Sequence, residues 1–149
     1  CSQGNMRVIG GSARGRTLYA LRGAINRPTS DLVRGAMFDM LQSAGVDLSA
    51  ILDLYAGTGA LGIEALSRGT GSCDFVERHP RACEAVRRNV SAMDFQLRVH
   101  VHCRPVREAL RALPGPYTLI LADPPYDDAE AAERFRFGGR HVHFHHHSE

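Results

Sequence analysis

The sequence contains no lysine, no CxxC pair and no apolar run that approaches the length of a membrane span. A membrane helix needs about 20 consecutive apolar residues, so the sequence predicts no transmembrane segment. Four cysteines without CxxC spacing make a metal site unexpected, and we predict reduced thiols in a cytoplasmic protein. The 149 residues, of which 44% are hydrophobic, predict one domain with a buried core.

Because lysine is absent, all 18 basic residues are arginines, although the net charge is only +2. Arginine binds phosphate in a bidentate manner and stacks on bases. A GC-rich genome would produce the same bias, so composition alone leaves the partner open. The distribution is more informative, because residues 6–34 hold one acid, Asp31, and predict a local patch for a polyanion. The arginines of this stretch are Arg7, Arg14, Arg16, Arg22, Arg27 and Arg34.

Turn residues and hydrophobic periodicity predict an N-terminal β-hairpin followed by alternating strands and helices. The hairpin covers 6–10 and 16–20, and an amphipathic helix begins at Thr29 or Ser30 and ends at Gly45. The later strands are predicted at 51–55, 72–77, 97–102 and 117–122, and the helices between them at 60–68, 80–93 and 106–113. This alternation predicts a Rossmann-like α/β fold with a mostly parallel sheet and flanking helices.

The chain divides into one main domain and two atypical ends. Residues 6–126 form the domain, with a hairpin extension (6–28), a helix (29–45) and an α/β core (49–126). Met6 resembles a natural start, and we therefore expect residues 1–5 to be an extension or a leftover. Residues 127–149 are polar and rich in histidine, and we expect neither a strand nor a helix there. The C-terminal strands of the sheet are therefore expected to be missing or truncated.

A glycine loop follows the first predicted strand of the core. Residues 57–62 (GTGALG) match G-x-G-x-x-G and precede a helix, with Glu77 twenty residues after Gly57. The pattern is typical of dinucleotide sites and also of S-adenosylmethionine sites. Asp53 and Asp123 favour the second, because carboxylates repel a diphosphate and suit an ammonium and a sulfonium. Two alternatives stay open: Asp53 as a cap for a loop amide, and Glu77 as a plain surface acid.

Asp123, Pro124, Pro125 and Tyr126 follow the last predicted strand. Asp123 and the Pro124 carbonyl can accept both hydrogens of an exocyclic amine on a base, while Tyr126 stacks on the ring. Most of the rate gain of such a site comes from positioning. The tetrapeptide alone is also compatible with a simple Asp-Pro turn.

Four blocks of sequence together resemble the RsmD family of class I methyltransferases, which act on guanine N2 of small-subunit ribosomal RNA. The blocks are 7–11 with 14–16, 27–31 with 33–34, 53–69, and 123–126. The resemblance implies S-adenosylmethionine as the cofactor and ribosomal RNA or the 30S subunit as the partner. We expect a monomer that does not bind membranes.

The resemblance also implies residue roles. The target guanine is held by Asp123, Pro124, Pro125 and Tyr126. The cofactor is held by Asp53, Tyr55, Ala56, Gly57, Thr58, Gly59, Leu61, Glu77, Arg78, Arg104 and Asp123. RNA is bound by Arg7, Arg14, Arg16, Arg27, Thr29 and Arg34. Three other functions remain open: a DNA or protein amino-methyltransferase of this fold, an inactive fragment that only binds cofactor, and a nicotinamide enzyme.

Overall fold

The computed structural model describes residues 6–21, 30–123 and 141–144. The helices are α1 (Asp31–Ser43), α2 (Ala60–Arg68), α3 (Pro80–Ala92) and α4 (Val106–Ala112), with a 3-10 turn at Gln96–Arg98. The strands are β1 (Met6–Arg7), β2 (Thr17–Leu18), β3 (Ala50–Leu54), β4 (Ser72–Glu77), β5 (Val99–Cys103), β6 (Leu119–Ala122) and β7 (His141–Phe144). Within these ranges, no helix is long and apolar enough to cross a membrane.

The central sheet has five strands in the order β5-β4-β3-β6-β7, and all four neighbouring pairs are parallel. The two strands of the N-terminal hairpin, β1 and β2, pair antiparallel. Parallel strands place their carboxyl ends on one edge of a sheet, which is where open α/β folds bind ligands. The arrangement confirms the predicted α/β architecture and brings the ends of β3, β4 and β6 together.

Alternating residues of the strands fill two cores on opposite faces of the sheet. Ile51, Phe75 and Leu121 belong to the larger core, which also contains buried residues of the hairpin, α1, α2 and α3. Leu52 and Ile120 belong to the smaller core beside α4. Strands buried on both faces explain why β6 appears in the sequence as a continuous apolar run and β3 as an apolar run interrupted by Asp53.

The hairpin is fixed to α2 by hydrogen bonds from buried polar side chains. Both carboxylate oxygens of Glu64 accept backbone N–H groups, from Ile9 at 3.0 Å and from Gly10 at 2.9 Å. The Ser67 hydroxyl accepts from the Ala13 amide at 2.9 Å and donates to the Gly10 carbonyl at 2.6 Å. These contacts fix the hairpin against the C-terminal half of α2.

Helix α1 has the predicted ends but buries only part of the predicted face. The Ser30 hydroxyl caps it by accepting from the Val33 amide, and Gly45 follows its last turn with φ +77°. Arg34 is fully buried, whereas Met40 remains 60% exposed. The predicted face is confirmed at Met37, which is buried, and at Leu41, which packs against the core. It missed Arg34, which pairs with Glu64, and Gly35, which packs against Ile9. That predicted face consisted of Val33, Ala36, Met37, Met40, Leu41 and Ala44.

The sequence predicted no strand in residues 127–149, and the structure corrects this for His141–Phe144. These four residues form β7, which pairs with β6 in the register Leu119↔His141 to Ala122↔Phe144. Strand β6 otherwise ends the sheet with unpaired backbone groups, and a parallel neighbour satisfies them. The histidine-rich sequence of this segment did not indicate a strand, because the pairing with β6 depends on backbone groups.

The cysteines also differ from the prediction of reduced thiols. Cys83 in the first turns of α3 and Cys103 at the end of β5 form a disulfide, with their Cα atoms 5.9 Å apart. The pairing of β4 with β5 places Cys103 opposite Glu77, beside the start of α3. Spacing along the chain gave no sign of this proximity, because the strand register creates it. Cys73 is a buried free thiol, and Cys1 lies outside the described residues.

Candidate cofactor and amine site

The loop between β3 and α2 exposes its backbone at the carboxyl edge of the sheet. Gly57 has φ +62°, and a methyl group added there would meet no atom within 4 Å. Gly59 has φ +87° and precedes the first turn of α2. A methyl group on Gly62 would lie 2.4 Å from Cε1 of Phe75, so this glycine allows α2 to pack closely on the sheet. Each of the three positions of the motif therefore favours glycine for its own physical reason.

Glu77, the last residue of β4, holds the glycine loop in place. Its Oε1 accepts a 2.8 Å hydrogen bond from the Gly57 amide, and its Oε2 accepts one of 3.0 Å from the His79 amide. The side chain is 7% exposed. A carboxylate offers about four lone-pair positions, so two remain for hydroxyl donors. The interpretation of Glu77 as a plain surface acid does not fit this burial.

Asp53 lies in β3 directly beneath the loop and is 1% exposed. Its Oδ2 accepts a 2.9 Å hydrogen bond from the Gly62 amide, one of the first N–H groups of α2. The contact resembles the alternative that the sequence left open for Asp53, a cap for a loop amide, but the amide belongs to the first turn of α2. Burial raises the pKa of Asp53 well above its usual range, and the charges of Asp123 and Glu77 raise it further against the opposing effect of the Gly62 hydrogen bond.

Asp123 is the first residue after β6 and is partly buried. The pairing of Leu54 with Ala122 puts Asp123 level with the start of the glycine loop. Its charge acts on Asp53, as does that of Glu77, so three carboxylates surround one end of α2. Such a cluster disfavours a diphosphate and favours a cationic ligand. Pro124, Pro125 and Tyr126 lie outside the described residues.

The other predicted cofactor residues differ in accessibility. Tyr55 and Ala56 are partly buried in the loop, and Tyr55 has φ +58°. Thr58 and Leu61 are buried, at 6% and 8% exposure. Arg78 and Arg104 are exposed just after β4 and β5, at the same edge of the sheet as the loop.

The residues predicted to bind RNA differ in their exposure to solvent. Arg7, Arg14 and Arg16 are exposed on the hairpin, and Arg16 also donates to the Ala92 carbonyl at the end of α3 at 2.6 Å. Arg34 corrects the prediction, because its fully buried guanidinium pairs with Asp31 at 2.8 Å and Glu64 at 3.4 Å and donates to the Arg7 carbonyl. Arg27 and Thr29 lie outside the described residues.

The exposed arginines lie some distance from the glycine loop. The hairpin contacts the C-terminal half of α2, while the loop begins its N-terminal end. The same extension approaches the loop at Tyr19, because one Nδ2 atom of Asn89 donates to the carbonyls of both Tyr19 and Thr58.

Sequence reasoning missed two buried polar residues as functional candidates, Glu64 and Asn89. Glu64 also accepts from the Arg68 guanidinium at 2.8 Å, and Asn89 joins α3 to the glycine loop through the Thr58 carbonyl at 3.0 Å. Each is a polar residue on the apolar face of its helix, and Asn89, for example, lies on the same buried face of α3 as Val86 and Val90. That pattern is a signal that could have identified them, since buried polar groups need partners.

Comparisons with known proteins identify relatives of this chain. Residues 6–137 match the family described as Conserved hypothetical protein 95. A Bacillus subtilis (strain 168) protein named "Putative rRNA methyltransferase YlbH" is 40% identical over 126 residues, which cover 83% of this chain and 68% of the relative. The "Ribosomal RNA small subunit methyltransferase D" of Escherichia coli (strain K12) is 32% identical over 123 residues, which cover 83% of this chain and 61% of the relative.

A solved structure titled "Putative methyltransferase yhhF from Escherichia coli" has 32% identity and a TM-score of 0.70, and the match covers 85% of this chain and 67% of that chain. It confirms the predicted class I methyltransferase fold. The chain spans 68% and 61% of the length of the two curated relatives.

Proposed function

The chain belongs to the family described as Conserved hypothetical protein 95, the RsmD family, and on that premise we propose that it methylates the exocyclic N2 amine of a guanine in small-subunit ribosomal RNA. S-adenosylmethionine is the cofactor of this class of enzyme. The choice of base and amine is the part that goes beyond family membership. The carboxyl edge of the sheet supports methyl transfer to an amine through its carboxylates and its open glycine backbone. The choice of guanine N2 follows the resemblance to the RsmD family.

The residues at this edge fit S-adenosylmethionine. The open space beside Gly57 permits close approach of a ligand to the backbone. The remaining acceptor positions of Glu77 suit the hydroxyls of a ribose. The charges around Asp53 suit an ammonium and a sulfonium, whereas the diphosphate of a nicotinamide cofactor would be repelled.

The observation that carries the proposal is the position of Asp123 beside the glycine loop, close enough for its charge to raise the pKa of Asp53. An exocyclic amine is a weak nucleophile because its lone pair is delocalised into the ring. A carboxylate that accepts one N–H turns the nitrogen toward the methyl donor and increases its electron density. The nitrogen–carbon bond forms as the carbon–sulfur bond of the donor breaks, and the nitrogen then releases one proton to solvent.

The exposed hairpin arginines support RNA as the substrate. Arg7, Arg14 and Arg16 are exposed on the hairpin, which packs on the C-terminal half of α2. Phosphate contacts from such a patch orient a nucleic acid without reading its sequence. A base that reaches Asp123 must be unstacked or already in a loop, because a stacked amine is inaccessible.

Transfer of a tritiated methyl group tests the proposal directly. Ribosomal RNA, 30S particles and DNA are incubated in parallel with the protein and labelled S-adenosylmethionine, and the product nucleosides are then separated. We expect label in N2-methylguanosine from RNA or from 30S particles. Label in methyladenine, in methylcytosine or in DNA would contradict the choice of target, and cofactor binding without transfer to any substrate would indicate an inactive fragment.

A further inference from the structure

Asn89 is a buried amide in the last turn of α3, with 1% of its surface exposed. Its Oδ1 accepts a 2.6 Å hydrogen bond from the Tyr19 amide, and its Nδ2 donates to the Tyr19 carbonyl at 3.0 Å. The same Nδ2 donates to the Thr58 carbonyl, also at 3.0 Å. One side chain thus joins three backbone groups from two segments that are distant in sequence.

Only an amide side chain satisfies this set of partners. The site requires one acceptor and two donors within a short side chain, and asparagine supplies both. Aspartate would place an oxygen against the carbonyls of Tyr19 and Thr58, and an apolar residue would leave all three backbone groups without this partner. A buried group that loses its partner is costly, so the residue type is specific to these contacts.

Thr58 is the middle residue of the glycine loop, next to Gly57. Glu77 holds Gly57 from β4, and Asn89 holds Thr58 from α3. The two adjacent loop residues are therefore fixed from two different elements. Rigid support of this kind keeps a binding loop in the geometry that its ligand requires.

Tyr19 belongs to the N-terminal extension, which follows α3 from its C-terminal end toward its N-terminal end. Arg16 contacts the Ala92 carbonyl, the Tyr19 ring lies 4.0 Å from the Arg88 guanidinium carbon, and Leu21 packs with Ala82 and Ala85. Asn89 is the point at which this extension connects with the glycine loop.

We propose that Asn89 is a positioning residue for cofactor binding, and that it couples the glycine loop to the seating of residues 17–21 on α3. The inference rests on the proposed cofactor pocket. Energetic coupling is reciprocal, so a ligand that orders the loop also strengthens the contact between Tyr19 and Asn89. RNA that holds the extension against α3 would then favour cofactor binding in return.

Calorimetric titration with S-adenosylhomocysteine tests the positioning role. We expect Asn89→Ala to bind about tenfold more weakly than the wild type, a change that corresponds to one buried hydrogen bond. Val90→Ala is the matched control, because Val90 is buried on the same helix and belongs to the large core. The control should lose stability and keep its affinity within about twofold of wild type. Equal affinity losses in the two variants, or none in Asn89→Ala, would overturn the proposal.

Hydrogen exchange on the unaltered protein tests the coupling even where Asn89→Ala fails to fold. Saturation with S-adenosylhomocysteine should slow amide exchange at residues 17–21 as well as in the glycine loop. Protection confined to the loop would refute the coupling while leaving the cofactor pocket intact. Failure of the wild type to bind S-adenosylhomocysteine would instead refute the pocket itself, and with it this inference.

Discussion

The amide of Gly57 donates a 2.8 Å hydrogen bond to Oε1 of Glu77 across the boundary between two adjacent strands. The bond joins the open backbone of the glycine loop to the acid at the end of β4. It fixes the spacing between the two groups that the sequence assigned to the cofactor. The nineteen residues between them serve mainly to build α2 and β4, so the motif is a structural unit of strand, loop, helix and strand.

Asp123→Ala should lower methyl transfer by roughly 10²–10³-fold, the effect of removing one well-placed polar group from an active site. Affinity for S-adenosylhomocysteine should change little, because this ligand lacks the sulfonium charge and the variant keeps Glu77 and the glycine loop. Single-turnover transfer and calorimetry measure the two effects separately. Turnover near that of the wild type would refute the role of Asp123 in holding the amine.

Asp53→Asn should change the pH dependence of stability. The pKa of Asp53 is raised in the folded state, so its contribution to stability is complete below the unfolded pKa and is lost as pH rises toward the folded pKa. Asparagine keeps an oxygen for the Gly62 amide and cannot ionise. The free energy of unfolding in urea, taken as variant minus wild type, should therefore be more positive at about pH 8 than at about pH 5. A difference that is equal at both pH values would contradict the assigned pKa shift.

Changing Arg14 and Arg16 together to alanine should weaken RNA binding and reduce its salt dependence. Each lost phosphate contact lowers the slope of log K against log salt by about 0.7 to 0.9. A double variant with alanine at Arg107 and Arg111, two exposed arginines of α4, is the matched control. Filter binding across a salt series measures the RNA affinity of the wild type and of both double variants. An identical slope in the hairpin variant and the wild type would exclude these arginines as phosphate contacts.

Glu64→Ala should destabilise the protein by about 3–5 kcal/mol, the usual effect of removing one partner from a buried ion pair. The substitution removes the buried partner of Arg34 and the acceptor for two hairpin amides. Glu84→Ala, at an exposed position of α3, should stay within about 0.5 kcal/mol of wild type. Denaturant unfolding gives both values, and a loss below about 1 kcal/mol in Glu64→Ala would contradict the structural role of the carboxylate.

Much of the fold was predictable because local pattern and tertiary structure agree. The glycine motif, the cap at Ser30 and the apolar runs of β3 and β6 each depend on nearby residues. Features that depend on distant pairing were not predictable in the same way. The burial of Arg34 requires Glu64, and the role of Asn89 requires Tyr19, seventy residues away. Strand β7 likewise depends on an available neighbour, which its own histidine-rich sequence does not indicate.

Glu77→Gln should weaken binding of S-adenosylhomocysteine by about tenfold or more. Glu77 now accepts hydrogen bonds from the backbone amides of Gly57 and His79. The side-chain NH₂ group of glutamine would face one of these two N–H groups, donor against donor. Glutamine also offers fewer acceptor positions to the hydroxyls of a ribose. Isothermal titration of the variant beside the wild type measures the change. Affinity equal to that of the wild type would show that this carboxylate does not support the pocket.

The most direct test of the cofactor pocket is calorimetric titration of the wild-type protein with S-adenosylhomocysteine and, separately, with NAD. The carboxylates around the glycine loop predict saturable binding of S-adenosylhomocysteine at one site and no binding of NAD. Binding of NAD together with a flat S-adenosylhomocysteine titration would contradict the account.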